Sequence, residues 1–430
     1  MTTDSDRDRT LLPFIASHGL IHGLSASLPA LLPLIMEEFN LNYTEVGILS
    51  FSLGASIGMM SILTGILSDI MRNKINILGY ALLSTGIFSF FIIFTRDYIS
   101  LLFYMVILGF LLSFYHPLAL SYIAIFFRGE RGRVFGMHEI GANLGLAAAP
   151  AIAGFLAPQV GWRVSYAVLA MPAVFSALFI LSMNGARVRM RVRKENALKE
   201  SATSAESDES DESAEASMCD DRDADGGGCD GAVRARGGVI CAICDDLCDF
   251  VNQMRGRFIR QLYIAEGIFG FVVGGVSTFI PLYLVAEGFS VAFAGVVTGV
   301  FLAFGAIGKY LGGVISDIFG GRSAVSIGFL LAAPLFLAVP LMPCRFLSLV
   351  PLVLAGMTFP MALSAIITCI SSEIPHSRTG IAFGFMMFAG FGFGSLSRPI
   401  LGLAGDTLGI SSIFFIISAV SLIGGAIIRS

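Results

Sequence analysis

Two short polar stretches, "GILSDIMRNK" at 65–74 and "GVISDIFGGR" at 313–322, interrupt long apolar runs of this sequence. They carry Gly, Ser, Asp and Ile at the same relative positions, 248 residues apart. The same offset places residues 33–161 on residues 281–409 without a gap, and the matches include proline, aspartate and several glycines. Apolar composition alone does not produce such matches, so the pattern indicates an internal duplication. The aligned residues are Pro33, Leu34, Gly47, Gly65, Ser68, Asp69, Ile70, Gly132, Phe135, Gly136, Gly154 and Gly161 on Pro281, Leu282, Gly295, Gly313, Ser316, Asp317, Ile318, Gly380, Phe383, Gly384, Gly402 and Gly409.

The composition indicates that lipid surrounds most of this chain. Of its 430 residues, 55% are hydrophobic and only 13% are charged, whereas soluble domains carry about 25% charged residues. The mean hydropathy is +0.82. The N-terminal "MTTDSDRDRT" lacks the pattern of a cleaved signal, so we expect the first apolar run to remain as a helix. The net charge of −4 arises mainly in one loop and points to no nucleic-acid partner.

Twelve apolar runs are predicted to be membrane-spanning helices. The runs are uniformly apolar rather than alternating, and a backbone in lipid must satisfy its hydrogen bonds internally, so only helices fit. The predicted spans are 12–38, 46–66, 76–95, 99–127, 134–157, 163–184, 259–286, 291–312, 323–343, 346–370, 380–404 and 410–428. The expected fold is all-α, with twelve transmembrane helices in two parallel six-helix repeats.

The distribution of basic residues predicts the orientation in the membrane. Among the 27 basic residues, only Arg96, Arg163 and Arg345 fall in the loops of one side. Positively charged loops face the cytoplasm, so both termini are expected there, in the cytoplasmic (inner) cell membrane. The expected organisation is an N-terminal six-helix bundle at 1–186, a cytoplasmic central loop at 187–258 and a C-terminal six-helix bundle at 259–430.

Both copies of the opening motif resemble the cytoplasmic loop motif of the major facilitator superfamily, although Arg72 stands where that family often has glycine. The stretch "GLAAAPAIAG" at 145–154 resembles the fifth-span motif of its proton-coupled exporters. It keeps Gly145, Pro150 and Gly154, while Ala149 and Ala153 replace two glycines. "SHGLIHGLSASLPALLPLIMEEFNL", "FYHP" and "EIGANLG" are similar to the fosmidomycin-resistance type. The resemblance covers the chain except residues 187–255.

The repeated loops are interpreted as gates between the two halves. A carboxylate is favoured at a helix N-terminus, so Asp69 and Asp317 could each hold the start of a neighbouring helix from the other half. The alternative is that these loops only supply turn glycines and positive charge. The predicted gating residues are Gly65, Asp69, Arg72 and Lys74 in the first loop, and Gly313, Asp317 and Arg322 in the second.

Ionisable side chains inside the predicted spans are candidates for substrate binding or proton coupling, because each costs about 2.5 to 3.5 kcal/mol to insert. Glu139 is the strongest candidate for proton coupling, since a carboxyl group can take up and release a proton. Imidazoles could carry protons or bind an anion, and Arg398 could pair with a phosphonate or carboxylate. The alternatives are hydrogen-bonded helix contacts and side chains that reach back to the membrane surface. The candidates are His18, His22, His116, Glu139, Asn143, Glu266, Lys309 and Arg398.

The central loop has a composition unlike the rest of the chain. "RVRMRVRK" suits anionic lipid headgroups, and the acidic run after it is expected to be disordered. "VICAICDDLCDFVNQM" is predicted to be a short amphipathic helix on the membrane surface. Its cysteines could hold a metal, but the same spacing describes the apolar face of a helix, so we expect no metal.

The resemblance implies a secondary transporter that works by alternating access. The exporter-like stretches imply proton-coupled efflux of a small compound, with an anionic one favoured. Two alternatives stay open: a proton-driven importer of an organic anion, and a transporter-like membrane sensor acting through the cysteine-bearing loop. No P-loop, G-x-S-x-G or H-E-x-x-H motif occurs, so we expect neither an enzyme nor a cofactor. The expected partners are a small-molecule substrate, protons and the lipid bilayer, with the chain acting as a monomer.

Overall fold

The computed structural model describes residues 4–71, 73–126, 131–182, 256–373 and 379–429. Within these ranges every regular element is a helix, so the predicted all-α membrane fold is confirmed. The basic patch, the acidic run, the amphipathic helix and the cysteines predicted for the central loop lie outside the described residues.

Twelve helical units, labelled α1 to α12, cross from one side of the molecule to the other. Their bounds are α1 Asp4–Phe39, α2 Tyr43–Ile70, α3 Lys74–Ser89 with a 3-10 turn Phe90–Phe94, α4 Tyr98–Leu112 and Tyr115–Phe126, α5 Arg131–Val160, α6 Trp162–Ser182, α7 Arg257–Ala286, α8 Val291–Phe319, α9 Gly321–Ala338 with a 3-10 turn Val339–Leu341, α10 Leu349–Thr358 and Met361–Glu373, α11 Thr379–Met387 resuming at Ser397–Leu408, and α12 Ser412–Ile427. We refer to α1–α6 as the N-half and to α7–α12 as the C-half. The terminal face is the one where α1 begins and α12 ends, and the other is the opposite face.

The helix lengths fit a membrane. Ten of the described helices are long and apolar enough to cross one. The two remaining units are α12, an apolar helix of 16 residues, and α11, which a π-helical turn (Phe388–Phe393) and a 3-10 turn (Gly394–Leu396) divide. The fourth helix of each half breaks at a similar place, before Tyr115 in α4 and before Met361 in α10.

The turns on the opposite face repeat with the sequence. Asn40 and Gly288, 248 residues apart, both have positive φ angles, of 51° and 85°. Gly161 and Gly409 form a second equivalent pair, at 83° and 87°. Asparagine is among the few non-glycine residues that adopt this left-handed conformation readily. The backbone therefore preserves the duplication even where Asn40 replaces glycine.

The two halves meet on the opposite face through close backbone contacts, which we call the seam. At each contact a glycine of one half packs directly against the backbone of the other half. The 248-residue offset relates these contacts in pairs, so that each contact has an equivalent in which the two halves exchange roles. The four contacts are Gly47 with Arg398, Gly295 with Pro150, Gly402 with Tyr43, and Gly154 with Val291. The seam thus has internal twofold pseudo-symmetry, as expected for parallel repeats.

Replacing Gly295 by alanine should destabilise the protein by about 1 to 3 kcal/mol, because overpacking forces the helices apart. The new Cβ would lie 2.5 Å from the Pro150 carbonyl oxygen. A matched control is Gly136→Ala in α5, where no described atom lies within 4 Å of the added carbon. We expect thermal unfolding in detergent to begin at lower temperature for Gly295→Ala only. An unfolding midpoint at or above that of the wild type would contradict a tight seam.

Candidate functional site

Three imidazole rings from α1 and α4 meet inside the N-half. His18 and His22 lie one helical turn apart, with ring centroids separated by 4.7 Å. The second segment of α4 begins at Tyr115, which places His116 at 5.3 Å from the His18 ring and 5.1 Å from the His22 ring. The break in α4 between Leu112 and Tyr115 thus lies just before His116, which faces α1.

Close packing of α1 on α5 brings a fourth imidazole to the group. Gly141 and Gly145 pack against the carbonyl groups of Ile15 and Gly19, as expected for a G-x-x-x-G pair. The His138 ring then stacks on the His18 ring at 3.7 Å between centroids. Sequence reasoning did not single out His138, and its position beside Glu139 was the available signal.

A hydrogen-bond network surrounds these rings. The backbone carbonyl of His138 lies 2.9 Å from His18 Nδ1. A carbonyl oxygen can only accept, so Nδ1 carries the hydrogen and Nε2 presents a lone pair. His18 Nε2 is buried and has no hydrogen-bond partner among the described residues. The Tyr115 hydroxyl lies 2.9 Å from Ser17 Oγ and 3.2 Å from His138 Nε2. The network therefore places hydroxyl and imidazole groups of α1, α4 and α5 within hydrogen-bonding distance of one another.

An ion pair crosses from the N-half to the C-half beside the imidazoles. Lys309 of α8 donates to Glu139 Oε2 of α5 at 3.1 Å and to Asn143 Oδ1 at 3.4 Å. Glu139 Oε1 lies 4.0 Å from His18 Nδ1. The Glu139 side chain is 45% exposed and that of Lys309 24% exposed. Six of the eight predicted polar residues therefore come together, and we call them the polar cluster: His18, His22, His116, Glu139, Asn143 and Lys309.

The imidazoles are candidate metal ligands by residue type. The ligand atoms of His18, His22 and His116 lie within 4.8 Å of one another, as do those of His18, His138 and Glu139. Nitrogens bound to one zinc ion are about 3.3 Å apart, so separations of up to 4.8 Å would require the rings to turn inward. We therefore interpret the rings as proton-carrying and hydrogen-bonding groups.

Glu266 and Arg398, the other two predicted residues, lie in the C-half. Glu266 of α7 is buried, with Oε1 facing Gly390 in the π-helical turn of α11. Its Oε2 has no hydrogen-bond partner among the residues the structure describes. Arg398 of α11 points between α2 and α7, where its Nε donates to Thr278 Oγ1 at 3.3 Å.

The predicted gating residues are only partly visible. Arg72 and the side chain of Asp69 lie outside the described part of the structure. Asp317 is exposed and makes no ion pair with any described residue. The Arg322 guanidinium stacks over the Phe258 ring at 4.3 Å rather than on Asp317. The gating role of the two loops therefore stays a prediction. Among the remaining predicted gating residues, Gly65 and Lys74 are buried, and Gly313 has no described atom within 4 Å of an added Cβ.

A carboxylate does hold a helix start of the other half, but on the opposite face. Asp406 of α11 accepts hydrogen bonds from the backbone amides of Tyr43 and Thr44, both at 2.9 Å. It also accepts from the Thr44 hydroxyl at 2.6 Å. These amides belong to the first turn of α2, where a negative charge is favoured. Sequence reasoning missed Asp406, since the equivalent residue of the N-half is Pro158.

Residues 14–397 match the Major Facilitator Superfamily, a span that contains the polar cluster and all of the seam except Arg398 and Gly402. The chain belongs to this superfamily. Members are secondary membrane transporters built from repeated halves, with substrate sites where the halves meet. Of the three residues predicted for the fifth-span motif, Pro150 and Gly154 contribute to the seam between the halves, whereas Gly145 packs on α1 within the N-half.

Individual relatives are distant in sequence and close in fold. The chain is 24% identical over 426 residues to the uncharacterized MFS-type transporter YfnC of Bacillus subtilis (strain 168), covering 96% of this chain and 92% of the relative. A bacterial homologue of the human lysosomal transporter Spinster, inward-facing and unoccupied, superimposes with a TM-score of 0.73 at 16% identity, over 99% of this chain and 97% of the other. A point mutant of the nucleoside transporter NupG gives a TM-score of 0.71 at 14% identity, over 98% of this chain and 99% of the other.

Replacing Asp406 by alanine should lower the free energy of unfolding by about 1 kcal/mol, because the first turn of α2 loses a charged acceptor. Glu37→Ala on the same face is a suitable control, since Glu37 is exposed. Thermal or denaturant unfolding of the purified variants would measure the difference. Equal stability of the two variants would show that the Asp406 contact contributes little.

Proposed function

We propose that this protein is a proton-coupled secondary transporter that exports a small compound across the cytoplasmic membrane by alternating access. The observation that carries the proposal is the Glu139–Lys309 ion pair, which joins α5 of the N-half to α8 of the C-half at 3.1 Å. Rearranging the halves must stretch or break a bond of this kind. Its charge state therefore offers a way to couple protons to the movement.

Protonation of Glu139 removes the attraction to Lys309. The groups that face Glu139 are Lys309, His18 and His138, while Asn143 contacts Lys309. An exposed ion pair contributes about 0 to 1 kcal/mol and a desolvated one more, and Glu139 lies between these limits. Two conformations that differ by a few kcal/mol respond to a change of this size. The lone pair on His18 Nε2 supplies a neighbouring proton acceptor.

The position of the polar cluster supports uptake of the substrate from the terminal face. His18 and Glu139 lie in the early parts of α1 and α5, and Lys309 lies in the late part of α8. At about 1.5 Å per residue these positions fall in the half of the membrane next to the terminal face. The distribution of basic residues predicts that this face is cytoplasmic, so capture from inside and export follow. The fosmidomycin-resistance resemblance favours an anionic cargo.

Two alternative functions are distinguished by direction and by deletion. A proton-driven importer of an organic anion would accumulate its substrate in right-side-out vesicles, whereas an exporter would accumulate it in inside-out vesicles. A membrane sensor acting through the cysteine-bearing loop would lose its function when residues 200–248 are deleted. Transport that survives this deletion argues for the transporter.

The direct test is a screen of small anions in proteoliposomes with an imposed pH gradient, read as substrate-induced proton flux. Glu139→Gln should reduce gradient-driven transport at least about tenfold while substrate exchange without a gradient continues, because the carboxyl group alone is changed. Lys309→Gln should weaken the pH dependence too.

Glu37→Gln, an exposed carboxyl group on the opposite face, is the matched control and should transport as the wild type does. Wild-type proton coupling in Glu139→Gln would remove Glu139 from this role.

A further inference from the structure

The Arg398 guanidinium lies at the boundary between the halves, where glycines make room for it. It packs against Gly54 of α2, and a carbon added to Gly274 of α7 would lie 3.2 Å from Nη2. Any side chain at Gly54 would collide with the guanidinium. The space around Arg398 is therefore formed jointly by α2 of the N-half and by α7 and α11 of the C-half.

The hydrogen-bonding capacity of this arginine is largely unused. Its Nε donates to Thr278 Oγ1, while its Nη1 is buried without a hydrogen-bond partner in the described part of the chain. The adjacent Ser397 hydroxyl is fully buried and likewise has no described partner. By contrast, Lys309 and Arg163 have carboxylate partners, Glu139 and Glu38, at 3.1 and 2.8 Å.

The Arg398 side chain is partly buried, and its Nη1 is shielded from solvent. A cation with a desolvated donor and no counter-ion is costly, because the lost hydration is not replaced. Native structures pair such groups, and each orphaned buried donor requires an explanation. The planar fork of a guanidinium fits the two oxygens of a carboxylate or phosphonate, and a serine hydroxyl can donate a further hydrogen bond. The unpaired groups here are all donors, or hydroxyls that can donate. An oxyanion satisfies them together.

The internal duplication shows that an arginine stands at this position in the C-half only. The residue equivalent to Arg398 in the N-half is Pro150, whose backbone makes the matching seam contact. The backbone contact alone therefore does not require arginine. What Arg398 adds is a positive charge at a place that changes whenever the halves separate.

We propose that Arg398 and Ser397 form a binding site for the oxyanion group, a carboxylate or a phosphonate, of the transported compound. Thr278, whose hydroxyl donates to the Gly274 carbonyl and accepts from Arg398 Nε, orients the guanidinium. This inference rests on the proposed function for its role in transport, whereas the binding itself can be measured without transport.

Binding is tested on purified full-length protein in detergent, by calorimetry with methylphosphonate, inorganic phosphate and acetate at constant ionic strength. We expect saturable binding of at least one of these probes to the wild type. Arg398→Gln should weaken it at least about tenfold, as loss of charged hydrogen bonds predicts. Arg398→Lys, which keeps the charge and loses the fork, should give an intermediate affinity, and Ser397→Ala a several-fold loss.

Arg345→Gln is the matched control. Arg345 lies on the opposite face, where its guanidinium donates to the carbonyl oxygens of Glu287 and Gly288, so its variant should bind as the wild type does. Thermal unfolding of each variant checks that it is folded. Absence of binding to the wild type, or unchanged affinity in both Arg398→Gln and Arg398→Lys, would overturn the proposal.

Measuring oxyanion binding in detergent and proton-coupled transport in proteoliposomes separately on the wild type distinguishes this inference from the proposed function. Oxyanion binding without any proton-coupled transport would sink the proposed function and leave the site. Proton-coupled transport without oxyanion binding would do the reverse.

Discussion

The structure depends on the close approach of two helix pairs, α2 with α11 and α5 with α8, along the seam. Only glycine permits backbones to pack this closely, and four glycines provide the contacts in a pseudo-symmetric set. Because helices in lipid gain little from the hydrophobic effect, such van der Waals contacts carry much of their association. The polar cluster lies nearer the terminal face than the seam. There an ion pair joins α5 to α8, while α2 and α11 continue in close backbone contact, at Gly58 with Gly392 and at Gly384 with Ser61.

The two ends of the contact between α5 and α8 differ in chemistry. The seam is apolar backbone reinforced by Asp406 at the start of α2. On the terminal-face side, α5 and α8 are joined by Glu139 and Lys309, a pair whose strength depends on protonation. Because the seam contacts between these two helices carry no titratable group, protonation acts directly only on the terminal-face end of the α5–α8 contact. The two halves also differ in charge, since the N-half residue equivalent to Arg398 is the uncharged Pro150.

Much of the fold could be predicted from sequence, because length, hydropathy and the 248-residue repeat are local or periodic features. The 248-residue offset aligns Gly161 with Gly409, and both residues form the same left-handed turn. The pairing of Glu139 with Lys309 was not predicted, although both residues were candidates. Contacts between helices depend on how each helix is rotated and how deeply it is placed, and no spacing along one chain segment encodes that. His138 was noted only as the neighbour of Glu139, and its contact with His18 lies 120 residues away in sequence. Asp406 was missed because the repeat has Pro158 rather than a carboxylate at the equivalent position.

The central claim is that the halves alternate between contact on the opposite face and contact on the terminal face. Spin labels on a cysteine-free protein in liposomes test it most directly, with one pair at Glu37 and Glu287 on the opposite face and another at Leu67 and Ile318 near the terminal face. Pulsed electron paramagnetic resonance across a range of pH should give two distance populations for each pair. The account predicts that the opposite-face distance lengthens whenever the terminal-face distance shortens. Distances that stay single at every pH, or that lengthen together on both faces, would contradict it.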